Sequence, residues 1–217
     1  MRIAPSILSA DFSRLASEIE RVERAGAHQL HVDVMDGHYV PNLTFGPMVV
    51  EAIRRSTRLP LDVHLMIEDA DRWIDAFVEA GADMIAFHAE SIHHPHLVLT
   101  SIQKRGKKAG LALNPGLSLA SVEELLPLAD YAIIMSVNPG WGGQDFIEGS
   151  FERAEKLRRF ARENDLDLEI EIDGGMNAER VPRAALAGID VVIAGSAIFK
   201  AKDPEAVVRQ MLSAVPA

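Results

Sequence analysis

The 217-residue sequence contains no cysteine. Disulfide frameworks, thiolate zinc sites, cysteine nucleophiles and iron–sulfur clusters are thereby excluded, so any metal must be held by histidine, aspartate or glutamate. Long apolar runs are also missing. None approaches the roughly 20 residues of a membrane-spanning helix, and the start, Met1-Arg2-Ile3-Ala4-Pro5-Ser6, lacks the apolar stretch of a secretory leader. With no disulfide chemistry, a soluble cytoplasmic protein is the expectation. Positive charge is scarce: Lys and Arg total 22 against 32 Asp and Glu, a formal net charge of −10, which disfavours nucleic acid as a partner. The six lysines, at 104, 107, 108, 156, 200 and 202, fall outside every strand expected below. A Schiff-base lysine on a barrel strand is therefore lacking, as is a strand-end Asp/Lys decarboxylase array. No linker-like or low-complexity stretch divides the chain, so one domain over residues 1–217 is expected.

What is present is a recurring joint. Four times an amphipathic stretch ends in Ala-Gly and a short apolar run follows: Ala25-Gly26 before Leu30, Ala80-Gly81 before Met84, Ala109-Gly110 before Leu111, and Ala187-Gly188 before Val191. Glycine just past a helix end takes the left-handed cap, and a brief turn then feeds a buried strand. Eight strands are expected at 3–7, 29–35, 61–66, 84–88, 110–114, 131–135, 168–173 and 191–195. Between them lie helical patterns at 11–25, 47–56, 70–80, 96–109, 121–129, 150–164, 178–187 and 203–212. Asp11 and Ser150 are candidate caps, and Pro204 a first helical residue. Eight alternating units in a chain of this length predict an α/β fold, a single-domain (β/α)8 TIM barrel, with an open doubly wound sheet as the alternative.

Three strands carry polar faces. Side chains two apart in a strand share a face, which groups His31 with Asp33 and Met35, Asp62 with His64 and Met66, and Glu169 with Glu171 and Asp173. Their alternate residues are apolar and would pack on helices, so the polar sets point into the barrel. Buried carboxylates need a partner or a cation. His31, Asp33, His64 and Asp173 lie toward the strand C-termini, where barrel active sites form. Two imidazoles and two carboxylates suit Zn²⁺, with Mn²⁺, Fe²⁺ or Co²⁺ as alternatives. A purely structural polar layer is the competing reading, and it is favoured for the deeper Asp62, Glu169 and Glu171. His93, His94 and His96 read as a solvated loop, Met35, Met66 and Met135 as strand ends near the rim, and His28, His38 and His88 have no assigned role.

Glycines gather on the same rim. Asn138-Pro139-Gly140-Trp141-Gly142-Gly143-Gln144 follows the sixth strand, Gly174-Gly175 the seventh and Gly195-Ser196 the eighth. Such loops let backbone amides approach a phosphate, and the first reads as a lid that excludes water.

The segments Ala4-Pro5-Ser6-Ile7-Leu8-Ser9-Ala10-Asp11-Phe12, His31-Val32-Asp33-Val34-Met35-Asp36-Gly37-His38-Tyr39-Val40-Pro41-Asn42, Asp62-Val63-His64-Leu65-Met66, Val137 to Gln144 and Asp173-Gly174-Gly175 resemble the ribulose-phosphate 3-epimerase family, in the same order over essentially the whole chain. The resemblance implies a metal-dependent barrel enzyme of the pentose phosphate pathway. It would interconvert D-ribulose 5-phosphate and D-xylulose 5-phosphate through a metal-stabilised cis-enediolate. It implies His31, Asp33, His64 and Asp173 as ligands of one divalent ion and Asp33 and Asp173 as the acid/base pair. Ser6, His64, Met35, Met66 and Met135 would lie beside the substrate, and Gly140, Trp141, Gly142, Gly143, Gly174, Gly175, Gly195 and Ser196 match the substrate and phosphate loops. The resemblance also implies a homo-oligomer. The sequence departs from the family's usual residues at Trp141 (Phe), Ala89 (Pro), Leu117-Ser118 (Thr-Pro) and Met176 (Ile). The alternatives are a D-allulose 6-phosphate 3-epimerase of identical chemistry, against which Ser9-Ala10 and Gly142-Gly143 speak, and a non-catalytic phosphate-binding barrel.

Overall fold

The apolar runs form eight strands: β1 (Arg2–Pro5), β2 (Leu30–Met35), β3 (Leu61–Met66), β4 (Met84–His88), β5 (Lys108–Leu113), β6 (Tyr131–Met135), β7 (Glu169–Asp173) and β8 (Val191–Ala194). This computed structural model describes residues 1–216. The eight strands pair in parallel throughout, in one sheet ordered β1-β8-β7-β6-β5-β4-β3-β2. The remaining seam, β1 to β2, closes through a parallel bridge between Ser6 and His31. Just below it the His28 N–H donates to the Ile3 carbonyl at 3.0 Å, and the Ile3 N–H donates to His28 Nδ1 at 3.2 Å. His28 thus supplies with its ring the acceptor that a regular ladder would have supplied with backbone.

Eight helices surround the barrel: α1 (Leu15–Arg24), α2 (Pro47–Ser56), α3 (Ile74–Glu79), α4 (Pro95–Lys104), α5 (Gly149–Glu163), α6 (Val181–Leu186), α7 (Ser196–Phe199) and α8 (Pro204–Ser213). None among the described residues is long and apolar enough to cross a membrane. The outward strand residues, such as Val32, Val63, Phe87 and Ile172, join Ile19, Val22, Ile53 and Phe77 of the helices in one core. A second, smaller cluster fills the barrel from β1, β4, β5, β6 and β8, with Ala4, Met84, Ala86, Ala112, Tyr131, Ile133, Met135, Val191 and Ile193. The interior is therefore apolar where these residues project, whereas β2 and β3, and β7 beyond β1 and β8, face it with carboxylates and imidazoles.

Several expectations are corrected. The helix expected over 121–129 is replaced by two short 3-10 turns, Leu119–Ser121 and Leu126–Leu128, because Pro127 lacks an N–H and its ring blocks the preceding turn. Helix α7 was not foreseen. Ser150 is not a cap but the second residue of α5, and it is buried. Asp11 instead caps a 3-10 turn, Phe12–Arg14, that precedes α1; Pro204 opens α8 as the sequence suggests, with Asp203 outside the helix as its cap. Lys108 opens β5, contrary to the reading that no lysine lies on a strand. It is exposed and sits at the N-terminal end of the strand, remote from the rim where β5 ends.

Candidate active site and metal centre

The strand register assembles the polar faces. His31 is level with Asp62, Asp33 with His64, and Asp173 with Met135 and Ile193. One ligand atom each from His31, Asp33, His64 and Asp173 lies within 4.8 Å of the other three. Within this group Asp33 is central. Its Oδ1 stands 3.2 Å from both His31 Nε2 and His64 Nδ1, and its Oδ2 accepts from the Ser6 hydroxyl at 2.6 Å. His31 Nε2 is buried and has no hydrogen-bond partner. A buried imidazole nitrogen without a hydrogen-bond partner, facing carboxylate oxygens in a cluster of two imidazoles and two carboxylates, fits a divalent cation of intermediate hardness.

A lower layer supports the candidate ligands. His31 Nδ1 donates to Asp62 Oδ2 at 2.6 Å, the carboxylate–histidine pairing that orients metal-bound imidazoles. Asp62 Oδ1 in turn accepts from the Tyr131 hydroxyl at 2.6 Å, across the barrel from β6. That reach depends on Gly110 of β5, since a Cβ there would stand 2.3 Å from the Tyr131 ring. Burial and the Asp62 charge push the Tyr131 phenol well up, so it remains a donor. Glu171 accepts from Gln29 Nε2 at 3.1 Å, and burial followed by Asp62 drives its pKa well above the carboxylate range. Glu169 pairs with Arg2 at the barrel's lower end.

The two aspartates at the top differ in ionisation. Burial tends to raise both. At Asp33 the flanking His31 and His64, where they donate to it with no ion between them, outweigh it and hold the carboxyl well below its usual range. At Asp173 burial and then the Asp33 charge prevail, pushing it up to about 7. Near neutrality the protein groups alone thus offer one carboxylate and one partly protonated carboxyl in the same pocket.

The pocket above them is walled by Ser6, Asp33, Met35, Met66, Met135, Gly140, Trp141, Gly142, Gly143, Asp173, Gly174, Gly175, Gly195 and Ser196. His64, expected beside the substrate as well as on the metal, is fully buried under the floor and does not form part of the wall. Leu8, Ser9, Val137, Asn138, Pro139, Met176 and Ile193 also line it, none of them singled out as a substrate-binding residue from the sequence. Among the described residues no Lys or Arg does so. The 138–144 loop is pinned by Gln144 Nε2 to the carbonyls of Asn138 and Trp141, at 2.6 and 2.8 Å, and by Asn42 Nδ2 to the Gly140 carbonyl at 2.8 Å. Trp141 is half exposed on it.

Sequence reasoning left His88 without a role. It is fully buried at the end of β4, and its Nε2 lies 2.9 Å from His64 Nε2. Burial pushes its pKa down to about 4. The signal was available: Met84, Ala86 and His88 alternate on the inward face of β4 as His31 and Asp33 do on β2. His93, His94 and His96 are exposed near the start of α4, as the loop reading expects.

Known proteins place this architecture. Solved barrels superpose over nearly the full length: a 3-hexulose-6-phosphate synthase with a TM-score of 0.77 at 18% identity, covering 100% of each chain, and KGPDC from Streptococcus mutans with 0.75 at 14%, covering 98% of this chain and 96% of that one. At such identities they speak for the fold alone. The sequence is 48% identical to a ribulose-phosphate 3-epimerase of Bacillus subtilis (strain 168), with 94% of each chain covered. It is also 48% identical to that of Aquifex aeolicus (strain VF5), with 98% of each covered. A chloroplastic ribulose-5-phosphate-3-epimerase of Arabidopsis thaliana is 46% identical, over 93% of this chain and 72% of its own. The description "Ribulose-phosphate 3 epimerase family" matches residues 2–199. The chain belongs to the ribulose-phosphate 3-epimerase family of enzymes.

Proposed function

We propose that the protein inverts C3 of D-ribulose 5-phosphate to give D-xylulose 5-phosphate, with Asp33 and Asp173 as the two proton-transfer groups. The observation that carries this reading is the geometry of these two carboxyls, which line one pocket and each bring a carboxylate oxygen into a cluster whose ligand atoms lie within 4.8 Å of one another. Removing a proton from one face of a carbon and returning one to the other requires one acid and one base at the outset, exchanging roles in the reverse direction. Asp33 and Asp173 come from strands separated by β1 and β8, so they can address the substrate from two sides.

His31, Asp33, His64 and Asp173 would hold one divalent ion, Zn²⁺ in the first instance, and that ion supplies Lewis-acid stabilisation of charge developing on substrate oxygens. Met35, Met66 and Met135, nearly inaccessible to solvent, surround the reacting carbon with apolar, polarisable groups that keep water away from that charge. Ser6 holds Asp33 Oδ2 and leaves the proton-transfer carboxylate oriented. With no cationic side chain on the wall, the phosphate would rest on the amides of the Gly174-Gly175 turn and on those of Ser196 and Ala197 at the start of α7, ahead of the Ile198 and Phe199 N–H groups that donate to the Gly195 carbonyl. Self-association in the cytoplasm goes with this reading. Leu43 and Met48, 74% and 78% exposed, offer apolar surface for it.

The deciding experiment follows proton–deuterium exchange at C3 of D-ribulose 5-phosphate in D₂O by NMR, with D-allulose 6-phosphate in parallel. Asp33→Asn and Asp173→Asn are each expected to slow exchange and turnover by roughly 10²–10⁴-fold. Full turnover by either variant removes that residue from the mechanism. Chelation is expected to abolish exchange, and preference for the six-carbon sugar would change only the substrate.

A further inference from the structure

The metal-centre reading leaves His88 and Glu90 unused, although both are built into it. His88 Nε2 faces His64 Nε2 at 2.9 Å, and the two rings lie 5.1 Å apart. Its other nitrogen, Nδ1, is buried without a hydrogen-bond partner, and Glu90 Oε1 stands 3.5 Å away. The same oxygen accepts from the Tyr39 hydroxyl at 2.9 Å, and the Tyr39 ring packs on His88 with centroids 4.8 Å apart. A small approach of the Glu90 carboxylate satisfies Nδ1.

We propose that Glu90, acting through His88, is a positioning group that sets the tautomer of His64 and so aims the His64 Nδ1 lone pair at the metal centre. The argument is one of parity. A carboxylate only accepts, so the His88 nitrogen beside it carries the hydrogen, and a neutral imidazole then has a bare second nitrogen. Between two nitrogens in hydrogen-bond contact there is one hydrogen, which must therefore belong to His64 Nε2. His64 Nδ1 is left bare. It looks at Asp33 Oδ1 from 3.2 Å, acceptor toward acceptor, an arrangement that a shared cation makes favourable.

On the other side of Asp33 the same outcome is reached in one step, since Asp62 takes the His31 Nδ1 hydrogen and leaves Nε2 bare, also 3.2 Å from Asp33 Oδ1. The centre thus has a short arm through Asp62 and a long arm through His88 and Glu90. Without Glu90, His88 is free to turn its hydrogen toward His64. His64 can then donate Nδ1–H to Asp33, and a proton occupies the place of the cation.

The proposal rests on the metal-centre reading, and the test separates the two. Zn²⁺ affinity is measured by competition with a chromogenic chelator. Relative to wild type, His88→Phe is expected to bind Zn²⁺ roughly 10–100-fold more weakly, and Glu90→Ala to weaken it in the same direction. His88→Gln, whose amide oxygen can accept from His64 Nε2, is expected to recover most of the loss. Wild type that takes up no stoichiometric Zn²⁺ brings down the metal-centre reading and the relay with it. Stoichiometric wild-type binding with unchanged affinity in His88→Phe and Glu90→Ala brings down the relay alone. Long-range ¹H–¹⁵N correlation spectra of Zn²⁺-loaded wild type, which need no variant to fold, are expected to show hydrogen on His88 Nδ1 and His64 Nε2. Hydrogen on His88 Nε2 or on His64 Nδ1 overturns the proposal.

Discussion

At the scale of single residues, the site is governed by how burial and neighbouring charge divide between two aspartates. Asp33 is ringed by Ser6, His31 and His64 and stays ionised, whereas Asp173 has burial and the Asp33 charge against its ionisation. This has a consequence for stability in chelator. Because the folded Asp173 titrates near 7 rather than at 3.8, the folded chain binds more protons than the unfolded one between those values. Its contribution therefore favours folding at the acidic end of that window and is lost as pH rises through about 7. Urea midpoints taken across this range in chelator should fall more steeply with rising pH for wild type than for Asp173→Asn. Parallel curves would mean that Asp173 is not held up by its surroundings. The alternation of His31 with Asp33 and of Asp62 with His64 made the donor set legible in the sequence, since it follows from strand geometry alone. The asymmetry between Asp33 and Asp173 was not, because desolvation depends on what the rest of the chain packs over each carboxyl.

Among the elements, the strands were read closely and the helices less so. Strands β3, β4 and β6 begin and end where the apolar runs do, because a buried parallel strand needs an uninterrupted apolar outer face. The stretch 121–129 carries helical periodicity yet contains Pro127, and the backbone rule prevails over the pattern. The turn after β7 shows how tightly loops are specified here. Gly174 has φ +118°, and a Cβ on it would stand 2.5 Å from Val137 Cγ2 and 2.9 Å from the Val137 backbone nitrogen. Gly174→Ala is therefore expected to lose about 3 kcal/mol or more, from backbone strain and overpacking together. Denaturant unfolding measures it, and adding Val137→Ala should return part of the loss, since only the side-chain clash is relieved. A neutral Gly174→Ala would mean that the turn adapts freely. The glycines of this rim were visible in the sequence, but which of them is forced by a neighbour was not.

For the molecule as a whole, the decisive event is closure of the β1–β2 seam. A single strand bridge at Ser6 and His31 and the two bonds between Ile3 and His28 join the ends of the sheet. Burial, then Arg2 and the N-terminus, lower the His28 pKa and keep its ring a competent acceptor. His28→Ala leaves the buried Ile3 N–H without that acceptor, and about 1 kcal/mol of stability should go with it. Hydrogen exchange at the Ile3 amide should accelerate in the same variant, and unchanged protection would show that the seam does not depend on the ring. By itself the sequence determined the eight strand-forming units and the polar faces of β2, β3 and β7, because residues two apart in a strand share a face and glycines mark the helix ends, both local facts. Only the tertiary structure decided that Tyr131 reaches Asp62 across 69 positions, that His88 meets His64 across 24 and that His28 seals Ile3 across 25. Those contacts arise from the curvature and register of the closed sheet, which bring together residues that no local period relates.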